Sequence, residues 1–170
     1  MANFELSIEK TLRWEGGYSC NPHDPGGETL FGIARNRHPE WDGWHRVDEL
    51  KKHFTPDHLT GVLCADGGLL ESAKQFYQEE FWDYDEIDSQ PVADKVFDLG
   101  VNVGQGRAVR WLQQAVGAEP DGKFGPKTLL LTNTLSAEAV LDKLRSQAKQ
   151  YYLSLNKPEF IRGWLRRLES

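Results

Sequence analysis

Four prolines, at positions 56, 91, 126 and 158, each stand at the head of a run whose apolar residues recur at helical spacing. Proline is tolerated in the first turn of a helix, where its missing N–H would have no partner, and it breaks a helix interior or a central strand. The pattern therefore predicts a chain of short helices restarted at fixed points. After Pro91 come Val92, Val96 and Leu99. After Pro126 comes the run Leu129-Leu130-Leu131, and after Pro158 a terminal helix ends in Trp164 and Leu168. Between these points, Asp66 to Trp82 carries Leu70, Ala73, Phe76, Tyr77 and Phe81, and Gly104 to Val116 carries Ala108, Trp111, Leu112 and Ala115. Ser136 is positioned to cap a helix bearing Val140, Leu144, Ala148, Tyr151 and Leu155. Leu30 to Arg37 reads as one or two helical turns stopped by Pro39, 41 to 44 as a loop, and Val47 to His53 as a short helix. Pro56 to Cys64 reads as a further one.

The first helix is predicted from Asn3, as N-cap, to the pair Gly16-Gly17. Phe4, Ile8 and Leu12 mark its apolar stripe, and Glu15 continues it at the last helical position. A carboxylate there faces the negative end of the macrodipole and is desolvated by the stripe. Both effects favour its protonated form, the form a general acid requires. The alternative is an exposed Glu that happens to precede a glycine C-cap. Tyr18 to Thr29 is a loop or small hairpin dense in Pro, Gly and Asn. It holds Asp24, whose polar surroundings leave it ionised, and Thr29, whose hydroxyl can orient a water. Two carboxylates in opposite protonation states are the minimum for cutting a glycosidic bond. Read singly, Asp24 also suits an Asx-turn and Thr29 a helix cap. Glu28 reads either as a second acid in a cleft or as a solvent-facing or helix N-terminal charge.

The spacing of Glu15, eight residues, Asp24, four residues and Thr29 resembles the Glu/Asp/Thr triad of phage-type lysozymes, in which the Asp–Thr stretch is usually one residue longer. The wording Glu15-Gly16-Gly17-Tyr18, followed by Asn21 to Gly27 and Glu28-Thr29-Leu30-Phe31-Gly32-Ile33, is similar to glycoside hydrolase family 108, the N-acetylmuramidases. Val96 to Gly104, Ala108 to Gln113, Asp121 to Thr128 and Phe160 to Arg167 resemble that family's C-terminal peptidoglycan-binding segment. The resemblance implies a mainly α, lysozyme-like helical domain with a small loop or hairpin lobe flanking a substrate cleft. It implies a peptidoglycan hydrolase that cleaves the β-1,4 bond after N-acetylmuramic acid and serves host-cell lysis, with Glu15, Asp24 and Thr29 as its catalytic set. Tyr18, Asp98 and Asn102 are the expected substrate contacts. The last two lie four apart on one helical face, where such a pair lines a cleft or caps a loop. A non-catalytic wall-binding or secretion-assisting protein on the same scaffold is the alternative.

With 170 residues the chain has room for one substantial core. No linker separates its halves, so residues 1–90 and 91–170 are expected to form one domain, the second half integrated with the first. Net charge is −6, which offers no basic stripe to a nucleic acid. It also does not favour an anionic wall polymer, so binding is expected to rest on hydrogen bonds and aromatic contacts, with Arg107, Arg110, Arg162 and Arg166 assisting. Two cysteines, Cys20 and Cys64, and five scattered histidines show no metal-ligand spacing. No metal or other cofactor is expected, and a Cys20–Cys64 disulfide stays open beside two free thiols. Neither a signal peptide nor a membrane-spanning run is visible. The expectation is a monomer without stable membrane association. It would be made in the bacterial cytoplasm and reach the wall or periplasm through a separate membrane-permeabilising protein.

Overall fold

The computed structural model describes residues 1–20 and 26–170. Asn3 begins the first helix as its spacing predicts: its Oδ1 accepts from the Glu5 N–H at 2.8 Å, and α1 runs Phe4–Glu15. The buried face of α1 follows Phe4, Ser7, Ile8 and Thr11, with Leu12 only half-buried. Three short strands follow, β1 (Tyr18–Cys20), β2 (Glu28–Leu30) and β3 (Ile33–Ala34). The remaining elements are α2 (Gly43–Lys51), α3 (Pro56–Ala65), α4 (Gly67–Phe81), α5 (Gln90–Val103), α6 (Gln105–Val116), α7 (Pro126–Thr134), α8 (Ala137–Ser154) and α9 (Pro158–Glu169). All four helix-opening prolines lie in the first turn of a helix, of α3, α5, α7 and α9. Among the described residues the protein is mainly α-helical with one small antiparallel sheet, consistent with a lysozyme-like helical fold.

The chain gathers into two compact units, residues 8–80 and residues 1–7 with 81–170. In the first, β1, β2 and β3 form an antiparallel ribbon in that order. Tyr18 pairs with Leu30, Ser19 with Thr29 and Cys20 with Glu28, then Thr29 with Ala34 and Leu30 with Ile33. Leu30 and Ile33 are fully buried, together with Val47, Leu63, Leu69 and Ala73. Trp41 and Trp44 meet edge to face at 5.0 Å, and the Trp44 indole donates to the His38 carbonyl at 2.7 Å. Asp66 caps α4 by accepting the Leu69 N–H at 3.0 Å.

The helical reading of residues 30–37 is corrected here. Leu30 closes β2, Phe31 and Gly32 form a two-residue turn, and Ile33 opens β3. Phe31 (φ 50°) and Gly32 (φ 85°) both have positive φ, the backbone of a tight hairpin and not of a right-handed helix. The loop expected over 41–44 likewise gives way at Gly43, where α2 begins.

In the second unit, Phe4, Trp82 and Phe97 pack as mutual edge-to-face rings 5.5–5.8 Å apart. Tyr84 extends this cluster between Trp82 and Phe124. Val92, Val96 and Leu99 of α5, Ala108 and Leu112 of α6 and Val140, Leu144 and Ala148 of α8 complete the core. Gln90 binds both backbone groups of Asn3, which fastens the amino terminus to the head of α5. Gly104, at φ 95°, separates α5 from α6. Ser136 occupies the N-cap of α8 without a side-chain capping bond.

Candidate active site

Glu15 is the last residue of α1, and the two glycines after it have different jobs. Gly16 takes the positive φ of 74° that ends the helix. At Gly17 a Cβ would lie 2.7 Å from Cys64 Sγ, so glycine lets the chain leave the helix past α3 without displacing that thiol. The Gly17 carbonyl then accepts the Phe31 N–H at 3.3 Å. That bond brings the β2–β3 turn back to the end of α1.

Gly32 is where turn and acid meet. A Cβ at this position would stand 2.6 Å from Glu15 Oε2, 2.6 Å from Tyr77 Oη and 3.0 Å from Glu15 Cβ. The half-buried Glu15 carboxylate therefore rests against the bare α-carbon of the turn, with the Tyr77 hydroxyl on the same spot. That hydroxyl donates to the Phe31 carbonyl at 2.9 Å in a buried bond. Phe31 holds a left-handed backbone that costs a non-glycine residue about 1–2 kcal/mol. Its burial and the Tyr77 bond offset that cost. Sequence reading placed Tyr77 only on an apolar helical face and Gly32 only inside a motif. The signal for the pair is a glycine that ends a two-residue turn and leaves room for an acid fifteen or more residues upstream.

Thr29 sits in the middle of β2, not at a helix cap, with Oγ1 3.5 Å from the Gly27 carbonyl. Strand alternation puts Thr29 with its partners Ser19 and Ala34 on one face of the ribbon, and Glu28 and Leu30 on the other. Glu28 therefore does not share a face with Thr29, and it is not solvent-facing or a helix N-terminal charge either. Its side chain, 8% exposed, accepts Tyr18 Oη at 2.7 Å, Arg35 at 2.7 Å and Lys51 Nζ at 2.8 Å. Arg35 also grips Asp48 through both of its terminal nitrogens. Burial alone would raise the Glu28 carboxyl, but the bonds from Lys51, Arg35 and Tyr18 outweigh it and hold the group below the usual carboxylate range. Burial, then the Glu28 bond and charge, push the Tyr18 phenol up.

Asp24 lies outside the described residues. Asp98 and Asn102 belong to the other unit, where each has a partner. Arg167 donates to Asp98 at 2.9 and 3.1 Å, with both side chains nearly enclosed. Asn102 Oδ1 accepts Tyr152 Oη at 2.8 Å. Between these two bonds Lys95, buried, donates to the Leu168 carbonyl at 2.8 Å. Cys20 and Cys64 are exposed free thiols. Among the described residues no cluster of three His, Cys, Asp or Glu side chains is arranged to hold a metal ion, and no helix is long and apolar enough to cross a membrane.

Comparison with known proteins bears on this geometry. A family model described as glycosyl hydrolase 108 matches residues 8–104, the stretch that holds Glu15, Thr29, Gly32 and Tyr77. A second model, described as a predicted peptidoglycan domain, matches residues 107–169. The structure of Brucella abortus SagA is similar over 98% of this chain and 89% of its own, at 26% identity and a TM-score of 0.72. No curated protein matches the chain.

Proposed function

The chain belongs to the glycosyl hydrolase 108 family, and from that premise we propose that Glu15 is the general acid of its reaction. The protein is a peptidoglycan hydrolase of the muramidase type, a glycoside hydrolase acting on the β-1,4 bond between N-acetylmuramic acid and N-acetylglucosamine. Glu15 gives its proton to the glycosidic oxygen as the bond from the anomeric carbon breaks. Asp24, with Thr29, steadies the oxocarbenium-like charge or positions the water that adds to that carbon. The observation that carries this assignment is the seat of the Glu15 carboxylate. A helix end, a glycine without a side chain and a buried tyrosine hydroxyl fix its place. A proton donor gains from such fixing, because misplacement of about 1 Å can cost about 10²-fold in rate.

Tyr18 is proposed to contribute through its ring, since its hydroxyl is engaged by Glu28. Asp98 and Asn102 support substrate binding by ordering α5 against α8 and α9. The two halves are proposed to act as one folded entity and a monomer. The wall polymer is the partner, with no nucleic acid and no membrane, and lysis of a host cell is the biological outcome.

Release of reducing ends from purified peptidoglycan tests the reading. Wild-type protein is expected to work equally with and without chelator, and Glu15→Gln to keep its fold while losing about 10²–10⁴-fold in turnover. Asp24→Asn should impair hydrolysis far more than it lowers the melting temperature, and Thr29→Ala less so. Activity abolished by chelator would point instead to a metal-dependent amidase or peptidase. Glu15→Gln activity within tenfold of wild type would remove Glu15 from the role.

A further inference from the structure

The charge of −6 is unevenly distributed. Residues 107–169 hold eleven Lys and Arg against six Asp and Glu, whereas residues 1–106 hold nine against twenty. The segment matched as a peptidoglycan domain is thus a cationic body of +5 in an otherwise acidic chain. Whole-chain charge conceals this, and with it the electrostatic match to an anionic polymer.

Its aromatic residues are equally localised. Trp111 of α6 meets Tyr151 of α8 at 5.6 Å, and Tyr151 meets the buried Tyr152 at 6.0 Å. Tyr152 stacks on Trp164 of α9 at 5.3 Å and 27°, and Trp164 stacks on Phe160 at 5.6 Å and 25°. Only Tyr152 in this series is enclosed. Trp111, Tyr151 and Trp164 are half-buried, and Phe160 is 51% exposed. Two cations lie against the series. The Arg107 guanidinium lies 4.4 Å from the Tyr151 ring centre and donates to its hydroxyl at 2.9 Å, and Lys157 Nζ lies 5.9 Å from the Phe160 ring.

We propose that this face, formed by Arg107, Trp111, Tyr151, Lys157, Phe160 and Trp164, is the surface on which a peptidoglycan strand is held. The proposal rests on the reading of the chain as a peptidoglycan hydrolase and names where its polymer docks. The aromatic rings take the C–H faces of the pyranose rings. Arg107 and Lys157 pair with the free carboxylates of the stem peptides. Apolar packing alone would not place two cations against the rings of a partly exposed series, one over Tyr151 and one beside the terminal Phe160. An anionic lipid surface is the competing occupant for a face of this kind. It fits less well, because the aromatic residues come from three helices and not from one amphipathic face. The buried side of α9 is also tied to α5 through Arg167 and Leu168.

Co-sedimentation of the full-length chain with purified sacculi at 4 °C, in a Glu15→Gln background that spares the polymer, tests the proposal. Phe160→Ser combined with Arg107→Gln is expected to weaken binding about tenfold or more, equivalent to about 1.4 kcal/mol, with an unchanged far-ultraviolet spectrum and cooperative melting. Phe160→Tyr should restore the Phe160 share, since stacking needs a ring and not a particular one. Raising salt should weaken the parent further, as exposed charge pairs are screened. Binding of the double variant within twofold of the parent overturns the proposal. So does parent binding to phosphatidylglycerol vesicles as tight as to sacculi, which would assign the face to lipid. Reducing-end release by the unmutated chain is measured in parallel. Its failure would reject the hydrolase reading itself, whereas its success with unaltered variant binding rejects this docking face alone.

Discussion

Replacing Gly32 with alanine separates the cost of backbone strain from the cost of moving the acid. At φ 85° any L-residue pays about 1–2 kcal/mol. The new methyl would also stand 2.6 Å from Glu15 Oε2 and from Tyr77 Oη. Carbon contacts relax near 3.5–4.0 Å, so those two atoms must retreat by about 1 Å. Tyr77 is buried and its hydroxyl is bonded to the Phe31 carbonyl, so its retreat strains or breaks that bond and adds up to about 1–3 kcal/mol to the loss of stability. The retreat of Glu15 carries the carboxylate off its seat, and about 1 Å at a reacting group is worth about 10²-fold in rate. Gly117 supplies the control. Its φ is 77°, and a Cβ there would meet nothing within 4 Å, so Gly117→Ala bears the backbone cost alone. Urea unfolding should show Gly32→Ala destabilised more than Gly117→Ala, by the share of the Tyr77–Phe31 bond that is lost. Reducing-end assays should show Gly32→Ala about 10²-fold slower, mainly in kcat, and Gly117→Ala close to wild type. Equal kcat of the two variants, each assayed well below its melting temperature, would refute the claim that Gly32 seats Glu15.

Tyr77→Phe deletes the donor to the Phe31 carbonyl and leaves a buried acceptor unsatisfied. Thermal melts should show a loss of about 1–3 kcal/mol, together with reduced turnover at saturating substrate. Glu28 and Asp48 both titrate below their ordinary values in the folded chain, with Lys51 and Arg35 the stabilising partners. The unfolded chain therefore takes up protons first as pH falls. The contribution of this cluster is complete above the ordinary carboxylate range, near 4.5 for Glu28, and is lost as pH drops through the lower folded values. Urea midpoints from pH 7 down to 3 should show that loss, and Glu28→Gln should flatten it. A fragment of residues 105–170 lacks Val92, Val96 and Leu99, which complete its core. It should lack the cooperative unfolding that the full chain shows by circular dichroism.

What could be read from sequence follows the range of the interactions involved. Proline at the first turn and apolar spacing of three and four are local, so the helices from Pro56 onward show plainly in the chain. Glu15 at a helix end before two glycines is local as well. The stretch Leu30 to Arg37 was misread because it has no helix breaker before Pro39 apart from one glycine. What makes it a hairpin is pairing with Tyr18 and Ser19 and a hydroxyl from Tyr77, forty-six residues on. Glu28 was misjudged for a related reason, since its cations come from Arg35 and from Lys51 in another element. Asp98 reads from sequence as lining a cleft or capping a loop, and its bond to Arg167, sixty-nine positions away, is not visible there. The cationic character of residues 107–169, by contrast, stood in the sequence and was averaged away by the net charge.

The stitching of α5 has a consequence for how such chains are inherited. By sequence, α5 falls inside the hydrolase match, which ends at residue 104. By side chain it completes the following segment: Asp98 holds Arg167, Lys95 holds the end of α9, and Asn102 holds Tyr152. Gene recombination at Gly104, the natural seam between the two sequence matches, would give the wall-binding helices a foreign α5 and leave a buried arginine without its acid. Exchange in the stretch before Gln90 would move α5 together with its partners. Residues 98 and 102 should accordingly vary in step with 167 and 152 across related lineages, and not with residues 15 to 77, which share their sequence match.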